Sequence, residues 1–570
     1  MKIAPLTGLI LALLMGPVLA QAPSSQGGGR NIIIFVADGL RYGSVTEDNM
    51  PNLFKLKSEG VDFTNSHSLF PTITMVNASA IATGHYIGDT GDFGNTLHTG
   101  MPMQSAKGST IAGLENNAVL AEMNQKFGGN YLNEETLIAR ARAQGFSTAV
   151  IGKLGPTRMQ DSTAAADGSQ TLILDDETGH EGGLGLPAWF ADGMKRAFIG
   201  PEAPKSSVPN IEQEVYLMKA TTRIVLPRFA AAGKPFALLF WSRDPDVSQH
   251  GTRDSLGEFV PGINGPSGKA GTRNADNMLG QLLAALKQQG LDKTTDVFVT
   301  ADHGFLTISH ESQTSPSAKN GQLAQGFLAS DLAAALSLPK ISNNALGADA
   351  QKPDVIVAGN GGADLIYLPE KNSRKLAGDI VKFLTTQDYV GAVFVHDKLG
   401  KIPGALSMSD LNLIGSAKTP VPSIYVSFRS FAGDCENKLQ CGVGVHDTGG
   451  ATGQGSHGSL SRAETRNFMA AIGPDFKSGY ADAAPVSNAD IAPTMAHIAG
   501  ITLTSKGKLK GRVISEALAG GSDVTAERKT IQSAPAANGA RTILNFQQLG
   551  EQRYFDAAGF AGKAVGLTPP

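Results

Sequence analysis

Six residues of this chain, three acids and three histidines, have side chains that could donate to a metal. Asp302 and His303 end "DVFVTADHGF" (296 to 305), a run rich in β-branched and aromatic residues of the kind that fills a buried strand. Alone, such a pair also fits a turn closed by its own hydrogen bond. Asp246 and His250 stand four apart in "RDPDVSQHG". On a helical turn that spacing puts carboxylate and imidazole on one side, where both reach a single ion, although a surface Asp–His pair reads the same way. Asp244 competes with Asp246, and the four-residue spacing selects Asp246. Asp38 closes "NIIIFVADG", and His457 lies in "GQGSHGSL" among glycines that allow close backbone approach. These three acids and three imidazoles are the oxygen and nitrogen set that suits a pair of zinc ions.

A purely structural dimetal site would more commonly be closed by cysteines, so this set leaves room for a nucleophile and a substrate. "FPTITMVNASAIATG" (70 to 84) supplies one: after the Pro turn, a helix of small and apolar residues is predicted to begin near Thr74. A helix N-terminus favours an anion through its free N–H groups and its dipole. Thr74 also fits the lesser role of a helix N-cap.

Buried strands must position these groups. "NIIIFVADG", "FSTAVIGK", "PFALLFWSRDPD", "DVFVTADHG" and "PDVIVAG" are continuous apolar runs, the pattern of a sheet covered on both faces. Between them "EETLIARARAQG", "NADNMLGQLLAALKQQG" and "SRKLAGDIVKFLTTQ" repeat apolar residues at helical spacing. The alternation predicts an α/β fold with a mostly parallel sheet. In such sheets functional groups gather at the carboxyl ends of the strands, where Asp38, Lys153, Asp246 and Asp302–His303 all stand.

The chain has 570 residues and a formal net charge of −3, which points away from a nucleic-acid-binding module. Residues 1–20 read as a secretory signal peptide, with a basic start at Lys2 and a short apolar stretch broken by Gly and Pro. Export to the periplasm or beyond is therefore expected, with no stable membrane anchor. In an oxidising compartment Cys435 and Cys441, the only cysteines, are predicted to close a small disulfide loop. Residues 30–520 are expected to form the catalytic domain, with loop-rich insertions near 86–140, 156–215 and 400–450. Residues 521–570 read as a peripheral extension whose low hydrophobicity speaks against core membership.

The ordered set "VADGLR", "PTITMVNASAIATG", "DPDVSQH", "TADHG" and "GSHG" resembles the alkaline phosphatase superfamily, in particular its type I phosphodiesterase/nucleotide pyrophosphatase and threonine-nucleophile phosphatase branch. The resemblance covers about residues 30 to 500. It implies a three-layer α/β/α sandwich with loop-rich cap insertions, and two Zn2+ ions. One would be held by Asp38, Thr74, Asp302 and His303, the other by Asp246, His250 and His457. It further implies a covalent phosphothreonine on Thr74, a phosphate contact from Asn95 rather than Asn77, and a small phosphate ester as substrate.

Lys153 decides between branches. A monoester carries one more negative charge than a diester, and a lysine at the crevice neutralises it. Threonine-type monoesterases of the superfamily have a lysine in this part of the chain, often with an arginine two residues on, where this chain has Gly155; Arg158 is a candidate substitute. On Lys153 the expectation is a phosphomonoesterase, with a phosphodiesterase or nucleotide pyrophosphatase as the alternative and a catalytically inactive zinc-containing binding protein as a third reading. His67, His85, His98, His310 and His446 are expected to be solvated, and His497 to pack in a helix.

Overall fold

The computed structural model describes Met1, residues 29–369 and residues 373–569. The signal-peptide reading of residues 1–20 therefore falls, beyond Met1, outside the described residues.

The central sheet has eight strands, in the order Tyr480–Asp482, Val61–Phe63, Met469–Ile472, Thr295–Thr300, Asn31–Ala37, Phe236–Ser242, Ser147–Gly152 and Leu172–Leu174. The five from Thr295–Thr300 to Leu172–Leu174 run parallel, and Met469–Ile472 is antiparallel to both of its neighbours. Alternate residues of each strand point to opposite faces, so a run such as Ile32 to Ala37 feeds two cores at once. Ile32, Ile34, Val36, Leu239, Trp241 and Phe298 pack under the helices Thr74–Thr83, Asn117–Lys126 and Ile491–Ala499. Ile33, Phe35, Phe240 and Val299 face Pro51–Glu59, Ile211–Ala220 and Pro266–Gln288. Helices on both faces make the expected three-layer α/β/α sandwich.

Register places the chemistry. Val36 lies opposite both Trp241 and Thr300 in the ladders, so Asp38 and Asp302 leave the sheet at the same level. Gly152 lies opposite Trp241, and the Lys153 N–H donates to the Trp241 carbonyl at 3.1 Å, which brings Lys153 to the same edge.

Three expectations are corrected. "PDVIVAG" forms the strand Val355–Asn360, but in a second, six-stranded, largely antiparallel sheet with Ala363–Tyr367, Ile424–Phe428 and Val390–Val395. An apolar run reports burial and not which sheet buries it. The segments expected as loops hold structure too: a hairpin, Thr96–Met103 with Ser109–Gly113, the edge strand Leu172–Leu174, and Ile424–Phe428. The tail is packed rather than apart. Its strands Ile543–Leu549 and Gln552–Gly559 mix apolar with polar residues without a regular alternation, so the segment reads as polar in one dimension. Leu544, Phe546, Phe555 and Ala558 nevertheless join the core that also holds Phe70, Ile73 and Val76 beside Thr74. The predicted Cys435–Cys441 disulfide is present. Among the described residues no helix is long and apolar enough to cross a membrane.

This packing is testable at two positions. Phe555→Ala should lower unfolding free energy by about 3 kcal/mol in urea titrations, the cost of an aromatic cavity; a loss below about 0.5 kcal/mol would mean the tail is not part of the core. Asp92 is buried, its Oδ1 has no partner and its Oδ2 accepts only from the Tyr131 hydroxyl, so burial pushes its carboxyl up to about 8. The native state thus retains a proton that the unfolded chain releases, and the stability it contributes is complete below about pH 4 and lost as pH rises to about 8. Asp92→Asn should gain on wild type between pH 5 and pH 8, by up to about 1.4 kcal/mol per unit. Parallel stability profiles for the two proteins over that range would refute it.

Candidate metal centre

The six donor residues converge at the sheet's carboxyl edge in two adjoining groups, Asp38 with Asp302 and His303, and Asp246 with His250 and His457. In every one of the three acids the protein binds one oxygen and leaves the other. Asp38 Oδ2 accepts from the Trp241 indole at 2.7 Å and lies 3.0 Å from Lys153 Nζ, while Oδ1 has no hydrogen-bond partner. Asp302 Oδ1 accepts the Gly39 and His303 N–H groups at 3.0 Å each, and Oδ2 has none. Asp246 Oδ2 accepts from Lys153 Nζ at 3.3 Å, and Oδ1 is again without a partner.

The imidazoles repeat the pattern. Nδ1 of His250, His303 and His457 lies 2.8 to 2.9 Å from the carbonyls of Gly455, Gly304 and Thr72. A carbonyl only accepts, so each Nδ1 carries a proton, and Nε2 is the atom that each ring turns inward. His303 Nε2 points at Asp302 Oδ2 (3.2 Å), and His250 Nε2 at Asp246 Oδ1 (3.3 Å). The Nε2 atoms of His250 and His457 stand 3.2 Å apart. Lone pairs and carboxylate oxygens aimed at one another repel unless a cation lies among them. The donor set, oxygen and nitrogen without sulfur, fits zinc.

Burial pushes His303 down to about 3, and burial with its neighbour His303 pushes His457 down to about 4, so both rings are neutral donors in neutral solution. Burial, and then the Asp302 charge, raises Asp38 well above the usual carboxylate range; burial lifts Asp302 to about 6. Burial opposes the charged form of Asp246 as well, but Lys153 and His250 hold it well below that range. The centre is closed on most sides and opens at His250, whose side chain is 40% exposed.

Thr74 is the first residue of the helix Thr74–Thr83. Ile73 occupies the cap and no side chain caps the helix end, which removes the N-cap alternative. Its buried Oγ1 lies 3.4 Å from His303 Nε2 and 3.2 Å from Lys153 Nζ. Asn95 sits beside it, with Oδ1 accepting the Met75 N–H at 2.8 Å, and among the described residues its Nδ2 makes no hydrogen bond. Asn77 is instead consumed in the interior by Leu69, Ile73 and Asn488. Asp244 is likewise saturated by Asn210, Ser248 and Asn274, in keeping with the choice of Asp246.

Other expectations fail. Arg158 turns away, giving its Nη2 to the carbonyls of Ser162 and Ala164. His67, His85, His98 and His446 are buried rather than solvated, and His497 is exposed rather than packed. His85 with Asp89 and Glu134 forms a third group of donor atoms, but those carboxylates accept backbone N–H groups of Ser416, Lys506, Gly507 and Leu509 and serve to tie loops together. Sequence reasoning missed Trp241, which orients Asp38, and three charged residues around Lys153: Glu115, Asp176 and Arg243. Trp241 was legible as the strand-end partner of Asp38 through the sheet register; the three charges stand in loops with no spacing to betray them.

The chain is similar to known phosphodiesterases. A venom phosphodiesterase of Naja atra is 24% identical over 282 residues, 49% of this chain and 26% of that protein. Venom phosphodiesterase 2 of Crotalus adamanteus is 24% identical over 285 residues, 49% of this chain and 27% of that protein. The chain thus spans about a quarter of the length of these curated relatives. Among solved structures, human ectonucleotide pyrophosphatase/phosphodiesterase 5 matches with a TM-score of 0.50 at 14% identity, covering 86% of this chain and all of that one, a likeness of fold. The family model of type I phosphodiesterase / nucleotide pyrophosphatase matches residues 32–343, more than half of the chain and reaching from the Asp38 strand past His303, and the chain belongs to that family.

Proposed function

We propose that the chain is an exported, metal-dependent phosphoric ester hydrolase of the phosphodiesterase/nucleotide pyrophosphatase kind, working through Thr74. The supporting observation is the arrangement in which six side chains each bind the protein with one polar atom and turn the other inward, beside a buried threonine hydroxyl. Asp38, Thr74, Asp302 and His303 would hold one Zn2+, and Asp246, His250 and His457 the other. When bound, the cations supply Lewis-acid polarisation of the phosphoryl oxygens and lower the pKa of the attacking hydroxyl.

The chain's residues do the positioning. Thr74 presents Oγ1 at a helix N-terminus, where an anion is favoured. Its hydroxyl gives up a proton to solvent, Oγ1 bonds to phosphorus, and the ester P–O bond opposite breaks, the alcohol leaving with the electron pair and taking a proton from water. Water then attacks the phosphothreonine and frees Thr74. Two in-line displacements retain configuration at phosphorus. Asn95, its amide oriented by the Met75 N–H, donates Nδ2–H to a non-bridging oxygen.

The family match moves the leading reading from monoester to diester substrates. The phosphomonoesterase remains the second reading because Lys153 stands 3.2 Å from the nucleophilic oxygen. Export rests on the signal-like N-terminus and the disulfide, and residues 30–520 are proposed as the catalytic domain.

Thr74→Ala should lower kcat/KM for an aryl phosphodiester by about a thousandfold or more with little change in Tm, as loss of a nucleophile does. Turnover within tenfold of wild type would remove Thr74 from the mechanism. Metal analysis should find two zinc ions per chain and about one fewer in His457→Ala; bound zinc with no turnover of any ester would favour the binding protein.

A further inference from the structure

Lys153 is not a free cation. Glu115, in the loop between Ser109–Gly113 and Asn117–Lys126, brings Oε1 to 3.2 Å from Lys153 Nζ. That oxygen is buried and has no hydrogen-bond donor, while the Glu115 side chain as a whole is 37% exposed. Glu115 therefore lies between the lysine and the outside of the site. The approach depends on Gly155: its φ is +91°, and a Cβ there would lie 2.7 Å from Glu115 Cα and 3.2 Å from its Cβ and Cγ. The position where an arginine would have added charge is a glycine that admits a carboxylate.

The neighbouring charges are paired in the same way. Arg243 is bound to Asp176, whose Oδ2 also accepts the Leu154 N–H. With Asp38 and Asp246 assigned to the cations, the outer wall of the crevice holds Lys153 and Arg243 against Glu115 and Asp176, and its formal charge is zero. A monoanionic diester loses little by this; a dianionic monoester loses the compensation that an unpaired lysine would supply.

We propose that Glu115, by neutralising Lys153, is the positioning residue that turns this site toward monoanionic phosphodiesters and away from dianionic monoesters. This rests on the reading of the site as a phosphoric ester hydrolase. Glu115 touches neither phosphorus nor the leaving group and acts through the lysine.

The test uses the zinc-loaded full chain as wild type, Glu115→Gln, Glu115→Asp and Gly155→Ala. It measures kcat/KM for 4-nitrophenyl phosphate and bis(4-nitrophenyl) phosphate, and binding of inorganic phosphate by calorimetry. Removing one charge at this range should shift the monoester-to-diester ratio about tenfold toward the monoester in Glu115→Gln and tighten phosphate binding about tenfold. Glu115→Asp should keep the wild-type ratio. Gly155→Ala, which displaces the Glu115 backbone, should shift in the direction of Glu115→Gln, so the idea stays testable if one variant folds poorly. The double variant Glu115→Gln, Lys153→Met should lose the gain. A ratio and a phosphate affinity within twofold of wild type in both Glu115→Gln and Gly155→Ala would overturn the proposal. Wild type that turns over neither ester refutes the hydrolase reading instead, and the phosphate calorimetry still decides the role of Glu115.

Discussion

The structure turns on one electrostatic constraint: three carboxylate oxygens without hydrogen-bond partners and three imidazole Nε2 atoms are aimed at one another, and Lys153, the cation that reaches two of the three acids, holds their other oxygens. Burying carboxylates is costly, and three of them within a few ångströms carry more negative charge than Lys153 offsets, so further cations sharing the space would stabilise them. The other atom of each side chain is fixed by a backbone carbonyl, a backbone N–H, the Trp241 indole or Lys153. Such outer contacts fix the tautomers and point the donors. The two groups are also joined directly, by the stacked His303 and His457 rings at 3.6 Å and by Lys153 reaching both Asp38 and Asp246.

The rest of the fold keeps those atoms in place. Parallel ladders hold Asp38 and Asp302 level, and the Asp246 N–H donates to the Asp38 carbonyl at 3.0 Å. His457 comes from much later in the chain and depends on a different tether. Thr72 binds it on both sides, its carbonyl accepting from the ring and its hydroxyl from the Gly458 N–H. Two residues on stands Thr74, so one short segment positions both His457 and the Thr74 hydroxyl. That segment is braced by Phe70, Ile73 and Val76 against the second sheet and the C-terminal strands, which explains why a tail far from the chemistry belongs to the core.

Much of the centre was legible because its residues end apolar strands or fall at helical spacing, and both patterns survive in one dimension. Asp38, Asp302, His303, Asp246 and His250 are of this kind, and the carboxyl-end rule brings them together. What was not legible depends on contacts between distant segments. "PDVIVAG" has the composition of a central strand yet pairs elsewhere, and the tail strands carry Leu544 and Phe555 in a stretch with no regular apolar period. His67 looks like a loop histidine until Asp556, 489 residues away, accepts its ring nitrogen.

Lys153 shows where reading by residue type stops. As a lone cation at a strand end it argues for a dianionic substrate, because a point charge in a crevice favours the more highly charged ester. In the fold its ammonium, with three protons to give, faces Asp38, Asp246, Glu115 and Thr74 at 3.0 to 3.3 Å. Those acceptors hold it charged despite its burial, with Asp246 contributing most. The field that a substrate meets is that of the whole cluster, and a lysine faced by three carboxylates does not select for charge the way it would alone. The preference follows from Gly155, whose missing side chain lets Glu115 in, more than from the lysine itself.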